Sequence, residues 1–165
     1  MLALLCAAVL AAQGPDLKTI SGGAKAVQNT VKANILKSAE KMSEENYSFK
    51  PTPEVRSFGQ LIGHLADANN NACAGAMGVS NPSPGIEKSK TSKADLVAAL
   101  AAAIAFCDKA YDITDAQAAE LVKVRNSERT RLSVLQGNSF HSNLHYGNII
   151  TYMRLKGVTP PSSDR

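Results

Sequence analysis

The chain has 165 residues and no tryptophan, with only four phenylalanines and four tyrosines. So few aromatics leave little with which to stack nucleic-acid bases. Three cysteines are too few to build a disulfide framework. No apolar run approaches the roughly 20 residues that a membrane span requires. No stretch of alternating Val, Ile and Thr argues for strands. A phosphate-binding loop, a dinucleotide fingerprint and a Gly-x-Ser-x-Gly elbow are all missing. The formal charge is +4 with a pI near 9.0, but Lys25, Lys32, Lys37, Lys41, Lys88, Lys90, Lys93, Arg125, Arg129, Arg131 and Arg154 are scattered. Without a basic stripe or a reading element, nucleic acid is not an expected partner.

What the chain does have is alanine, as in Ala98-Ala99-Leu100-Ala101-Ala102-Ala103. Alanine favours helix and lets helices approach closely. The expected class is all-α, and four helices can be placed. The first runs from about Gly23 to Ser43, with Ala24, Val27, Val31, Ile35 and Met42 at helical spacing. Pro51 and Pro53 then force extended chain, beside Tyr47 and Phe49, which can plug one end of a bundle. The second helix starts near Val55–Ser57 and runs to Met77, with a stripe of Phe58, Leu61, Ile62, Leu65, Ala68, Ala72 and Ala76; Gly78 stops it. Val79 to Lys90 reads as an exposed connection. Ser92-Lys-Ala-Asp95 resembles a capping box for a third helix ending near Tyr111, with Leu96, Leu100, Ala103, Cys107 and Ala110 facing inward. Thr114 starts a short turn through Glu120 that leads to a charged stretch. The fourth helix is expected from Thr130 to Lys156, before Gly157 and Pro160-Pro161.

The first dozen residues are apolar and end in small side chains before Gln13 and Gly14-Pro15. That pattern reads as the hydrophobic region of a secretory leader, although no Lys or Arg stands near Met1. The expected organisation is a signal peptide at 1–13 and one domain at 14–165, exported to the periplasm or secreted. Membrane insertion of the mature chain is not expected, and a homodimer stays open.

The chain's three histidines carry the strongest chemical signal. His141 and His145 lie four apart, so they project from one face of a helix. They belong to a row of Val134, His141, His145, Asn148, Tyr152 and Leu155, which reads as a core seam. Two imidazoles and an amide on such a seam need partners, since burying an unpaired polar group costs about 1–3 kcal/mol. His64 flanks the apolar stripe of the second helix. Together the three imidazoles suggest a divalent metal site with positions open to water or substrate. Zn, Ni, Fe and Mn all accept imidazole. Asp67 stands where it can orient His64 or be a solvated charge. Asn148 bonds a ligand or pairs across the core, and Tyr152 reads as packing rather than as a proton donor.

Two stretches resemble the DinB-like family: Arg56-Ser-Phe-Gly-Gln-Leu-Ile-Gly-His64-Leu-Ala-Asp67, and His141-Ser-Asn-Leu-His145-Tyr-Gly-Asn148-Ile-Ile-Thr-Tyr152-Met-Arg-Leu-Lys-Gly157. The resemblance implies a four-helix bundle that binds a divalent metal through His64, His141 and His145. Many relatives carry an acidic residue just before the second histidine of the last motif; Leu144 stands there, so no proton-transfer role is carried over to that position. Family chemistry is diverse and includes thiol transfer and isomerisation of small acids. The functional expectation is a metal-dependent enzyme of hydrolase or thiol transferase type acting on a small molecule. The alternative is a non-catalytic module that binds a metal or small ligand.

The resemblance also implies that the second and third helices run parallel, joined by a long crossover. Cys73 and Cys107 each lie about four residues from a helix end, so parallel helices bring them level. Antiparallel ones would separate them by roughly 20 Å. A disulfide, which needs Cα atoms within about 7 Å, is compatible with the parallel arrangement alone; two packed thiols are the alternative.

Overall fold

The computed structural model describes residues 14–164, so the expected leader at 1–13 lies outside the described residues. Helices α1 (Ile20–Lys41), α2 (Phe58–Met77), α4 (Lys93–Ala110) and α6 (Arg131–Leu155) form the bundle. Short helices α3 (Ile86–Ser89) and α5 (Asp115–Ala119) lie in the connections. Each long helix starts on a hydroxyl cap that accepts an orphan backbone N–H: Thr19 from Gly22, Ser57 from Gln60, Ser92 from Asp95 and Thr130 from Ser133. At Ser57 the Gln60 side chain accepts the return bond and completes a capping box. Gly78, at φ 68°, closes α2 in the left-handed conformation that glycine tolerates best.

Helices α2 and α4 run parallel. At one end Gly59 and Gly63 of α2 approach the Leu96 side chain, and at the other Cys73 and Cys107 are joined by a disulfide with Cα atoms 5.2 Å apart. Helix α6 runs opposite to α2: Tyr152 donates to the Arg56 carbonyl near the start of α2, and Val134 packs in the cluster around Cys73 near its end. The segment between α2 and α4 therefore returns along the bundle.

The main core gathers Val31, Ile35, Met42, Phe58, Ile62, Leu65, Leu100, Ile149 and Met153. A smaller core surrounds the disulfide with Ala76, Ala110, Tyr111 and Leu135. Nearby, a polar group fills positions that periodicity assigns to apolar residues. Gln28 is buried while Val27 is exposed, and Asn69 is buried while Ala68 is only half-buried. These polar groups meet one another. Asn138 donates to Asn69 Oδ1 at 3.1 Å, Ser139 Oγ donates to Gln28 Oε1 at 2.9 Å, and the Tyr111 hydroxyl donates to the Leu135 carbonyl at 2.6 Å. Their mutual hydrogen bonds offset the desolvation that burial costs.

The charged stretch before α6 is not irregular. It forms an antiparallel hairpin of β1 (Leu121–Val124) and β2 (Ser127–Thr130), with Leu121 opposite Thr130 and Val124 opposite Ser127. Each strand has only four residues and much of its surface meets solvent, so no alternation long enough to read develops. Val122 and Val124 hold the hairpin against the core around the disulfide. Among the described residues, no helix is long and apolar enough to cross a membrane.

Candidate metal centre

Helices α2 and α6 bring the three histidines together. His64 Nε2 and His141 Nε2 lie 3.2 Å apart, and one ligand atom from each ring falls within 4.8 Å of the others. Ring centroids are separated by 5.1 Å for His64–His141, 4.8 Å for His64–His145 and 4.5 Å for His141–His145.

The histidine row is only partly the core seam that its spacing suggests: Val134 and Tyr152 are buried, but the row lies at the edge of the inner face. The buried residues of α6 are Val134, Leu135, Asn138, Ser139, Ser142, Tyr146, Ile149, Tyr152 and Met153, centred on the line through Ser142 and Tyr146. The histidines sit roughly 100° to one side, half-buried, and Asn148 and Leu155 of the same row are exposed. The polar residues Asn138, Ser139 and Ser142 disguise the true inner face. The consequence is chemical: imidazoles at the flank of the bundle can meet a ligand arriving from solvent.

Glu87 supplies the carboxylate beside His64. Its Oε2 lies 3.2 Å from His64 Nδ1, and its Oε1 accepts from Arg56 Nε at 2.9 Å. A carboxylate on Nδ1 fixes the ring and leaves the Nε2 lone pair pointing at the other imidazoles. Asp67, expected to orient His64 or stand in solvent, does neither. Its two oxygens accept the backbone N–H groups of Ile86 and Glu87, each at 2.9 Å, so it anchors the crossover that carries Glu87. Tyr152 also stands apart from the imidazoles, donating to the Arg56 carbonyl at 2.7 Å and packing edge-on against Phe49. Asn148 keeps a contact of 3.4 Å between its Nδ2 and His145 Nδ1.

Burial, reinforced by the neighbouring His141, His64 and Arg56 charges and opposed by Glu87, pushes His145 down to about 4. Burial, with His64 and Arg56, also pushes His141 below its ordinary value. Both rings are therefore neutral near pH 7, the form that donates a lone pair to a metal. Bonds of 2.0–2.1 Å to a tetrahedral ion place ligand nitrogens about 3.3 Å apart, close to the His64–His141 separation of 3.2 Å. The Nδ1 of His141 is buried without a hydrogen-bond partner, so that ring's contact with the cluster lies on its Nε2 side. Three imidazoles so spaced fit a divalent cation.

A cleft of about 500 Å³ opens beside the imidazoles, between α2, the hairpin and α6. His64, Ala68 and Ala72 line it at successive turns of α2, and the two alanines give it room. Arg125, Arg129 and Asn138 close other sides. Glu87 and the two hairpin arginines were not singled out by sequence reasoning. Glu87 lies in the segment that reads as a plain connection, and its one local signal is the apolar Ile86 that buries itself beside it.

The DinB superfamily model matches residues 29–149. The chain belongs to the DinB superfamily. Solved DinB-like structures agree with the bundle. A DinB-like protein of Bacillus cereus aligns with a TM-score of 0.76 at 17% identity, over 88% of this chain and 98% of its own. A DinB-like protein of Bacillus subtilis gives 0.65 at 21% identity, over 83% and 93%. A conserved protein of Enterococcus faecalis gives 0.67 at 16% identity, over 83% and 96%. At such identities the likeness speaks for the fold. No curated protein matches the chain.

Proposed function

We propose that this DinB-superfamily protein is an exported, metal-dependent enzyme acting on a small molecule, with His64, His141 and His145 as the metal ligands. The observation that carries the reading is the convergence of three imidazoles, two of them held neutral, with His64 and His141 lining a metabolite-sized cleft. A divalent ion with three histidine ligands keeps positions free to polarise a carbonyl or thiol, or to bring a water's pKa toward 7. The chain's own residues do the rest. Glu87 fixes the His64 tautomer, Arg56 holds Glu87, and Asp67 ties the crossover to α2. Hydrolysis and thiol transfer are the reaction types such a site suits. Export is supported by the apolar leader and by the disulfide between Cys73 and Cys107, a bond that persists in oxidising compartments.

One observation favours the second reading, a non-catalytic metal or small-ligand binder. The carboxylates bordering the imidazoles, Glu87 and Asp67, are both already engaged, and Leu144 occupies the position before His145. Elemental analysis of untagged protein tests the shared core of both readings. About one Zn, Ni, Fe or Mn per chain is expected, with most of it lost in His64→Ala, His141→Ala and His145→Ala. Unchanged stoichiometry in all three variants would refute the assignment. Activity in the loaded protein then separates enzyme from binder.

A further inference from the structure

The cleft is lined by two exposed arginines that no carboxylate among the described residues pairs with. Arg125 lies in the hairpin turn and Arg129 on β2, and both line the cleft. Arg56 and Arg131 each pair with a glutamate, Glu87 and Glu120. Among the described residues, Arg125 and Arg129 have no carboxylate partner, and Arg129 donates only to the Ser127 hydroxyl at 2.9 Å.

The turn that presents Arg125 is itself informative. Two residues, Arg125 and Asn126, join the paired Val124 and Ser127, and Arg125 takes a φ of 56°. Hairpin positions with positive φ favour Gly, Asn or Asp, and a bulky residue such as arginine is strained there. Arg125 is exposed at this position and lines the cleft.

A second, independent observation comes from α6. Asn138 is 4% exposed and lies one turn before His141 on α6. Its Nδ2 is committed to Asn69 Oδ1 at 3.1 Å and lies 3.3 Å from the Tyr111 hydroxyl, which fixes the orientation of the amide. Its Oδ1 is buried with no hydrogen-bond partner. A buried acceptor left unpaired is costly unless a donor reaches it, and Asn138 borders the cleft.

We propose that the cleft binds a small carboxylic acid carrying an N–H or O–H group. Arg125 and Arg129 hold the carboxylate, Asn138 Oδ1 accepts the N–H or O–H, and the remainder of the molecule lies toward His64 and His141, the two histidines that line the cleft. The proposal deepens the functional reading above and rests on it for the role of the histidines. A guanidinium and a carboxylate share planar, forked geometry, which favours this pairing. Apart from its histidines and any ion they hold, the cleft is lined by two arginines and one carboxylate, Asp67, which leaves it positive and suits an anion. Along α6 the lining residues run from Ser133 to His141, roughly 12 Å at 1.5 Å per residue, room for a molecule of several bonds.

The test uses N-butyrylglycine, its uncharged carboxamide N-butyrylglycinamide, and O-butyrylglycolate, in which an ester oxygen replaces the N–H. Calorimetry is run on metal-free and metal-loaded protein. N-Butyrylglycine is expected to bind in both, and the carboxamide about tenfold or more weaker. Arg125→Gln and Arg129→Gln should each weaken N-butyrylglycine by about tenfold. Arg154→Gln, which removes the same charge outside the cleft, should not. The Asn138 side-chain amide resonances should shift with N-butyrylglycine and much less with the ester. Equal affinity for acid and carboxamide would overturn the proposal, as would an Arg154→Gln loss matching that of Arg125→Gln. Because the metal-free arm reads the arginines without an ion, failure there sinks the carboxylate site, whereas a chain that never takes up metal sinks only the metal reading.

Discussion

Gly63 sits where the crossover meets α2, immediately before His64. A Cβ placed there would lie 2.7 Å from the Glu87 Cα, 3.1 Å from the Glu87 nitrogen and 3.3 Å from Leu96 Cδ2. Carbon atoms in contact settle about 3.5–4.0 Å apart, so Gly63→Ala must push the Glu87 backbone away by about 1 Å. The displaced segment carries the His64–Glu87 contact of 3.2 Å and the two Asp67 bonds of 2.9 Å, each of which then lengthens. Overpacking of this kind costs about 1–3 kcal/mol, and the better helix propensity of alanine returns up to about 1 kcal/mol. The expected net effect is a loss of up to about 3 kcal/mol, with metal affinity falling about 10–100-fold as His64 loses its carboxylate. Gly147→Ala is the matched control: a Cβ there meets nothing within 4 Å, so the same substitution should stabilise by about 0.5–1 kcal/mol. Urea unfolding gives the stabilities, and competition with a chelator gives the affinity. If Gly63→Ala matches Gly147→Ala in stability and keeps wild-type metal affinity, the close approach of the crossover is not what holds Glu87 in place.

Further outcomes follow from the same structure. His145 titrates near 4 when folded against an ordinary 6.5, so the unfolded chain takes up its proton first; stability of the metal-free protein should fall as pH drops from about 6.5 to about 4, then stop responding to this group. His145→Gln should flatten that part of the unfolding profile, and an unchanged slope would disprove the assignment. The Cys73–Cys107 bond closes a loop of sequence separation 34, for which chain entropy gives about 3–4 kcal/mol. Reduction, or the Cys73→Ala/Cys107→Ala double variant, should lower the urea midpoint accordingly, and equal midpoints would remove the bond from the stability account. Mass spectrometry of protein made in an exporting host should find a new N-terminus between Ala8 and Pro15; intact Met1 in the soluble fraction would argue against export.

The four long helices were legible because each signal is local. Ser57, Ser92 and Thr130 cap with their own hydroxyls, Gly78 stops α2 by its own φ, and Leu96, Leu100, Ala103, Cys107 and Ala110 face the core with the period of one helix. The i, i+4 spacing of His141 and His145 is likewise a property of a single helix, so sequence alone put both on one face. Their juxtaposition with His64 and the parallel course of α2 and α4 were implied by the family resemblance. Residue spacing alone left them open.

Tertiary packing decided what one helix cannot know about its neighbours. Which face of α6 turns inward depends on Gln28 of α1 and Asn69 of α2, whose amides make Asn138 and Ser139 acceptable in the interior and rotate the histidines to the flank. The hairpin exists because Val122 and Val124 find an apolar surface to cover, a surface built by residues distant in the chain. Glu87 stands beside His64 because Gly63 lets the crossover approach and Asp67 fastens it there. Residue types and their spacing determined the donors that an ion could use. Folding fixed the cleft they border and the charges that face them, since both arise from contacts between segments with no local signature.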